Sequence, residues 1–205
     1  MSTQLTKHLL FKAALVLTAL VPLTSYGGIL GTPHDLKAAT WNTSGQICIV
    51  CHTPHNAKAA QLIPLWNHAA TATSFTLYTS NTLKTTTLTQ PAGASKSCLS
   101  CHDGTIALSS MGSATGGADR ITAANLIGTS LSDDHPVSFT YDAALAIANS
   151  GLVSPTSTSL VVTGVPLFAG MMECASCHDV HNNVNGMFLR TTNAGSALCL
   201  KCHNK

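Results

Sequence analysis

Cys48-Ile49-Val50-Cys51-His52 is the first of four Cys-x-x-Cys-His pentapeptides in this 205-residue chain. The others are Cys98-Leu99-Ser100-Cys101-His102, Cys174-Ala175-Ser176-Cys177-His178 and Cys199-Leu200-Lys201-Cys202-His203. The four motifs contain all eight cysteines, so none remains for a disulfide or a thiol nucleophile. Two thiols three residues apart can bond to both vinyl groups of one haem, and the histidine that follows can ligate its iron. The pattern predicts four covalently attached haem c groups.

Two other classes of site use paired cysteines. A zinc ribbon combines two pairs and does not need a histidine after each pair. A thioredoxin-like dithiol occurs once, between a strand and a helix. Because all four pairs here end in histidine, the sequence favours haem, with His52, His102, His178 and His203 as proximal iron ligands.

Each haem iron also has a distal position, for which the chain offers histidines outside the motifs. The candidates are His34, His55, His68, His135 and His181, one more than four haems require. We expect His34, His55, His135 and His181 to be the distal ligands, and we keep His68 in reserve because a lone histidine is more often a hydrogen-bonded structural residue. Methionine ligands are not needed, so low potentials are expected at all four haems.

Two of these histidines lie close to a motif in sequence. His55 follows His52 by three residues, and His181 follows His178 by the same interval. In a helical turn, residues three apart lie on one face, so they cannot approach one iron from opposite sides. The spacing predicts that His55 and His181 each serve a neighbouring haem.

The N-terminus resembles a secretory signal. Lys7 and Lys12 supply positive charge, and residues 13–23 form an apolar stretch that is short for a membrane span. We expect a signal peptide over residues 1–27 and a single tetrahaem domain over residues 28–205 without a membrane span; an uncleaved anchor is the alternative. Export agrees with haem attachment outside the cytoplasm.

The charge balance excludes a nucleic-acid-binding surface. Without Lys7 and Lys12, eight basic residues balance eight acidic ones, and the haem propionates would make the assembled protein acidic. Arg120 and Arg190 are the only arginines, and the lysines do not cluster.

Periodicity is weak, so the sequence predicts a mostly irregular fold: loops with short α-helices and little β-structure, organised around a stacked row of four haems. Helices are expected at 142–149, which ends before a Ser-Gly pair, and at 195–203, which would carry the last motif. Residues 75–78 and 160–163 have strand character. The Thr-rich segment 71–89 and the segment 109–117 are expected to be loops.

Several strings resemble a known class of proteins. They are Thr32-Pro33-His34-Asp35, the stretch 47–56 around the first motif, Pro64-Leu65-Trp66-Asn67, the stretch 98–104, Asp134-His135-Pro136-Val137 and the stretch 199–205. Together they resemble secreted multihaem cytochromes of the cytochrome c3-like, doubled-CxxCH class. The haem number and chain length look most like the tetrahaem cytochromes that polymerise into extracellular conductive filaments. That resemblance implies bis-histidine haems in a continuous stack, with a histidine of one subunit able to ligate a haem of the next.

Three functional classes follow. An oxyanion reductase needs an open iron, and surplus histidines argue against one, so we expect an electron-transfer protein and not an enzyme. A soluble periplasmic carrier would rely on charged docking patches, whereas only 9% of residues are charged. We therefore favour a secreted head-to-tail homopolymer at the outer cell surface, exchanging electrons with redox proteins or an extracellular acceptor. The alternative is the periplasmic carrier.

Overall fold

The computed structural model describes residues 28–58, 63–155, 160–161 and 165–204. Its α-helices are α1 (Gly93–His102), α2 (Ala143–Ala148) and α3 (Cys174–Cys177). Single 3-10 turns occupy Leu36–Ala38, Ala123–Asn125, Ala194–Ser196 and Cys199–Lys201. The strands are β1 (Phe139–Thr140), β2 (Leu160–Val161), β3 (Val165–Pro166) and β4 (Met171–Met172). Loops therefore dominate the described chain, which confirms the predicted irregular fold class.

The strands form two small antiparallel ladders. β1 pairs with β4, with Phe139 opposite Met172, and β2 pairs with β3, with Leu160 opposite Pro166. Two-residue strands cannot form a sheet that is stable by itself. They tie loops together near the segment that leads into the third motif.

Helix α2 confirms the helix predicted at 142–149. The Asp142 side chain accepts a hydrogen bond from Leu145 N, which is the interaction expected of an N-cap aspartate. Leu145 and Ala146 are buried, whereas Ile147 is largely exposed. The helix is therefore fixed by one cap and one short apolar face.

Two other sequence predictions are wrong. The helix predicted at 195–203 is broken into two 3-10 turns, because Gly195 and Ser196 have positive φ angles of 58° and 62° that an α-helix cannot contain. The strand predicted at 75–78 is reduced to one isolated bridge between Thr76 and Ser130. The predicted signal segment lies outside the described residues. No helix in the described ranges is long and apolar enough to cross a membrane.

The buried apolar side chains form two small clusters. The larger one contains Phe139, Tyr141, Leu145, Leu167 and Met172, against which the partly buried Cys202 of the fourth motif packs. The smaller one joins Leu99, inside the second motif, to Phe75 and Leu131. Both clusters therefore include or touch a motif residue, so peptide packing and the motifs are contiguous.

A buried carboxylate joins the starts of α1 and α3. Glu173 is the N-cap of α3, where its side chain and that of Ser176 form a reciprocal capping box. The same carboxylate accepts from Ser95 N in the first turn of α1, whose own N-cap, Ala92, has no side-chain acceptor. Gly93 has a φ of 47°, and a Cβ there would lie 3.4 Å from Glu173 Oε1. One side chain thus caps the two helices that carry the second and third motifs.

Candidate haem-binding site

The motif histidines share one hydrogen-bonding arrangement. The ring Nδ1 of three of them lies within hydrogen-bonding distance of a main-chain carbonyl: His52 with Pro64 O at 3.0 Å, His102 with Asn125 O at 2.9 Å and His178 with Met187 O at 2.9 Å. A carbonyl can only accept, so Nδ1 carries the proton and donates it. The neutral ring then has its lone pair on Nε2, which is the form that ligates a metal.

Each carbonyl belongs to a short segment that runs beside its motif. We call these segments straps; they are residues 64–66, 125–127 and 187–189. His52 is bridged to Trp66 and His178 to Leu189, while Ile127 N donates to His102 O. In each strap the first residue supplies the carbonyl that accepts from the histidine ring. The third residue pairs with the backbone of the same histidine. The straps therefore fix both the backbone and the ring orientation.

Two straps contain a backbone conformation that residues other than glycine rarely adopt. Leu65 has a φ of 60°, and Phe188 has a φ of 57°. For an L-residue the left-handed region costs about 1–2 kcal/mol. Backbone strain of this kind concentrates at functional sites, and here it turns the carbonyls of Pro64 and Met187 toward the ligand rings. The sequence analysis missed the straps, because a carbonyl acceptor leaves no side-chain signature.

Three predicted distal histidines lie against a motif histidine. The ring centroids are 6.1 Å apart for His34 and His102, 6.2 Å for His52 and His181, and 6.4 Å for His135 and His203. A metal–imidazole bond is about 2 Å long and the ring centre lies roughly 1 Å beyond the nitrogen, so two imidazoles on one iron have centroids about 6 Å apart. All three separations fit a shared iron.

His34 is the most enclosed of the three distal candidates. Burial, followed by the neighbouring His102, lowers the pKa of His34, which favours the neutral form of its imidazole. Its Nδ1 atom is buried and has no hydrogen-bond partner in the described part of the chain, and its ring packs on Phe188 at 4.6 Å. A neutral, buried imidazole that lacks a protein acceptor suits a metal ligand.

His181 is oriented by its own loop. Asp179 Oδ1 accepts from His181 N at 3.1 Å and lies 3.6 Å from His181 Nδ1. Arg190 holds the other oxygen of that carboxylate at 3.2 Å. The His181 ring faces His52 of the first motif, not His178 three residues earlier. This arrangement supports the prediction that His181 serves a neighbouring haem, although neither histidine pair lies in a helical turn.

His178 and His55 differ from the other ligand candidates. Both are exposed, and neither ring lies against another histidine among the described residues. His178 is nevertheless held by its strap in the same manner as His52. The third motif thus has a histidine ring held by its strap, with no second histidine ring against it in the described part of the chain.

His68 has a different environment. It is fully buried, its Nδ1 lies 2.9 Å from Ala69 O, and its Nε2 lies 2.9 Å from Ala107 O. With a carbonyl at each nitrogen, the ring offers no free lone pair to an iron. This environment supports a structural role for His68, which the sequence analysis had left open.

The cysteines of successive motifs are neighbours. Burial raises the pKa of Cys101 to about 12, and the nearby Cys51 adds to this effect. Cys51 also contributes, as a smaller cause, to the raised pKa of Cys98. Cys98 is in hydrogen-bonding contact with Cys174, which is the largest cause of its raised pKa. Cys177 in turn raises the pKa of Cys202, after burial, to about 11. The motifs therefore adjoin one another in chain order.

Comparison with known proteins supports the assignment of the last two motifs. Residues 166–205 match the family model described as a doubled CXXCH motif, and this segment contains the third and fourth motifs. A search of curated proteins found no match. The family match supports a multihaem c-type cytochrome, which binds haem c covalently and transfers electrons.

Proposed function

We propose that the chain carries four haem c groups, each with two histidine ligands, and forms a head-to-tail extracellular filament that conducts electrons over long distances. We name the groups haem 1 to haem 4 after the order of their motifs. When bound, each haem supplies reversible one-electron chemistry. The residues of the chain hold the rings, exclude water from the irons and set the distances between neighbouring groups.

The ring pairs support one ligand assignment. His52 and His181 would hold haem 1, His34 and His102 haem 2, and His135 and His203 haem 4. His181 comes from the loop after the third motif, so it would tie haem 1 to the segment that carries haem 3. Contacts between the cysteines of successive motifs support a continuous row. Closely spaced haems in a row allow rapid electron transfer from one end of the subunit to the other.

The observation that carries the filament proposal is the unmatched pair of His178 and His55. Haem 3 would have His178 as its only ligand from the described part of its own subunit, whereas His55 is exposed without an imidazole partner there. We assign His55 of one subunit as the distal ligand of haem 3 in the next. Because this contact joins two different surfaces, it repeats without closing and generates a fibre.

Both histidines lie beside exposed apolar side chains. Val184 and Met187, in the loop that supplies the carbonyl for His178, are 88% and 79% exposed. Leu65, whose carbonyl accepts from Thr53 N near His55, is 52% exposed. Exposed apolar groups beside a ligand suit a permanent packed interface better than a transient encounter.

Replacement of His55 by Ala tests this function. We expect the variant to be secreted as monomers with one high-spin haem, whereas the wild type forms filaments with four low-spin haems. Negative-stain microscopy, visible spectroscopy and denaturing mass spectrometry of the secreted fraction give assembly, spin state and haem number.

His135→Ala is the matched control. It removes a distal ligand that lies against its partner ring within one subunit, so one haem should become high-spin while filaments persist. A wild type that is only ever monomeric with four low-spin haems would replace the filament with the soluble periplasmic carrier. Fewer than four attached haems would contradict both.

A further inference from the structure

Glu173 is the only glutamate in the chain, and it is one of the least exposed charged residues in the part that the structure describes. The side chain is 3% exposed, and its Oε2 accepts from Ser95 N at 3.1 Å, from Ser138 Oγ at 3.1 Å and from Ser95 Oγ. No lysine or arginine of the described chain forms an ion pair with it. A buried carboxylate without a cation is costly unless hydrogen bonds or a nearby positive charge compensate it.

The carboxylate lies at the junction of two haem motifs. Glu173 immediately precedes Cys174, and Ser95, its main donor, lies three residues before Cys98. The Ser95 hydroxyl also accepts from Cys174 N at 2.9 Å, and the thiols of Cys98 and Cys174 are in contact. Haem 2 and haem 3 would therefore be bonded to neighbouring cysteines, one of which directly follows this carboxylate in the chain.

We infer that Glu173 is a positioning residue that sets the reduction potentials of haem 2 and haem 3, by holding one buried negative charge beside the segments that bind them. A ferric bis-histidine haem carries one more positive charge than the ferrous form. A negative charge in a medium of low dielectric constant stabilises the ferric form and lowers the potential. The inference rests on the proposed function only in that these two motifs carry haem; it does not depend on filament assembly.

The serine donors partly offset the effect of burial on this carboxylate. Burial raises the pKa of Glu173, while hydrogen bonds from Ser95 and Ser138 act in the opposite direction. A carboxylate that accepts several hydrogen bonds is stabilised in its charged form. Ser95, Ser138 and Ser176 are all fully buried, so water does not compete for these bonds.

Two substitutions separate the charge from the hydrogen bonds. Glu173→Gln keeps the shape and an acceptor oxygen but removes the charge, so two of the four one-electron steps should shift to higher potential. Ser138→Ala keeps the charge but removes one donor that offsets it, so the same two steps should shift to lower potential. We would follow redox titrations of the assembled protein by visible absorbance at about pH 9, more than four units above the ordinary pKa of glutamate.

Asp142→Asn is the matched control, because Asp142 also caps a helix but is exposed, and its helix carries no haem motif. It should leave all four steps unchanged. The double variant Glu173→Gln with His135→Met identifies the one-electron step of haem 4, because methionine ligation raises its potential. That step should not be one of the two whose potentials Glu173→Gln shifts. Unchanged potentials in Glu173→Gln, or shifts of the same sign in Glu173→Gln and Ser138→Ala, would overturn the inference and leave Glu173 as a helix cap alone. Mass spectrometry that finds no haem on the second or third motif would count against the proposed function instead.

Discussion

A single ring nitrogen distinguishes the histidines of this chain by role. In His52, His102 and His178 a carbonyl accepts a hydrogen bond from Nδ1–H and leaves Nε2 available, whereas in His68 carbonyls lie at both nitrogens. The sequence analysis identified the motif histidines from spacing, since covalent chemistry fixes that spacing. It could only leave His68 as a reserve candidate, because main-chain acceptors at positions 69 and 107 do not appear in a residue pattern.

The ring pair of His52 and His181 gives a prediction at this scale. In His181→Ala, haem 1 should lose its distal ligand and become high-spin, although His181 is three residues from the proximal ligand of haem 3. Electron paramagnetic resonance of the oxidised protein measures the high-spin signal. The signal should vanish when Cys48 and Cys51 are also replaced by Ala, and persist when Cys174 and Cys177 are replaced instead. The reverse pattern would show that His181 serves the haem of its own motif.

At the scale of elements, local sequence patterns predicted secondary structure correctly only where tertiary contacts did not override them. Helix α2 has an aspartate cap and a short apolar face, and the sequence predicts it correctly. The segment 195–203 has comparable helix formers but contains two positive φ angles. Segment 75–78 has β-branched and aromatic residues, yet Phe75 packs on Leu99 beside the second motif. Where the chain surrounds a motif, tertiary contacts override the local propensity.

Helix α2 therefore provides a clean test of a local signal. Asp142→Ala removes the acceptor for Leu145 N, which should lower the free energy of unfolding by about 1 kcal/mol. Asp142→Asn keeps an acceptor at the cap and should cost only a few tenths of that amount. Thermal unfolding of the holoprotein, followed by far-ultraviolet circular dichroism, measures both changes. Equal losses in the two variants would mean that the charge of Asp142, not its hydrogen bond, stabilises the helix.

At the scale of the whole molecule, the peptide alone offers little to hold these loops in place. The described chain has three short helices, four two-residue strands and two small apolar clusters. The conformational entropy of ordering a chain of this length is large, and burial of apolar surface must offset it. The clusters touch the motifs at Leu99 and Cys202, so bound haem would extend the same apolar interior. The sequence analysis predicted a fold organised around the haems, but it could not say which peptide residues complete the core.

The last prediction is that folding depends on haem attachment. The chain from residue 28 onward, produced without haem, should show no cooperative thermal transition and little near-ultraviolet circular dichroism, because removal of the haems would expose the apolar faces of both clusters. The holoprotein should show a cooperative transition and a structured near-ultraviolet spectrum under the same conditions.

Removal of haem 4 alone gives a more specific test. Replacement of Cys199 and Cys202 by Ala should destabilise the cluster around Tyr141, because the Tyr141 hydroxyl donates to Cys202 O and Val153 O. The cluster of Phe75, Leu99 and Leu131 should be less affected, since it adjoins the second motif. Hydrogen exchange resolves the two regions, and a haem-free chain that unfolds cooperatively would show instead that the peptide core is sufficient.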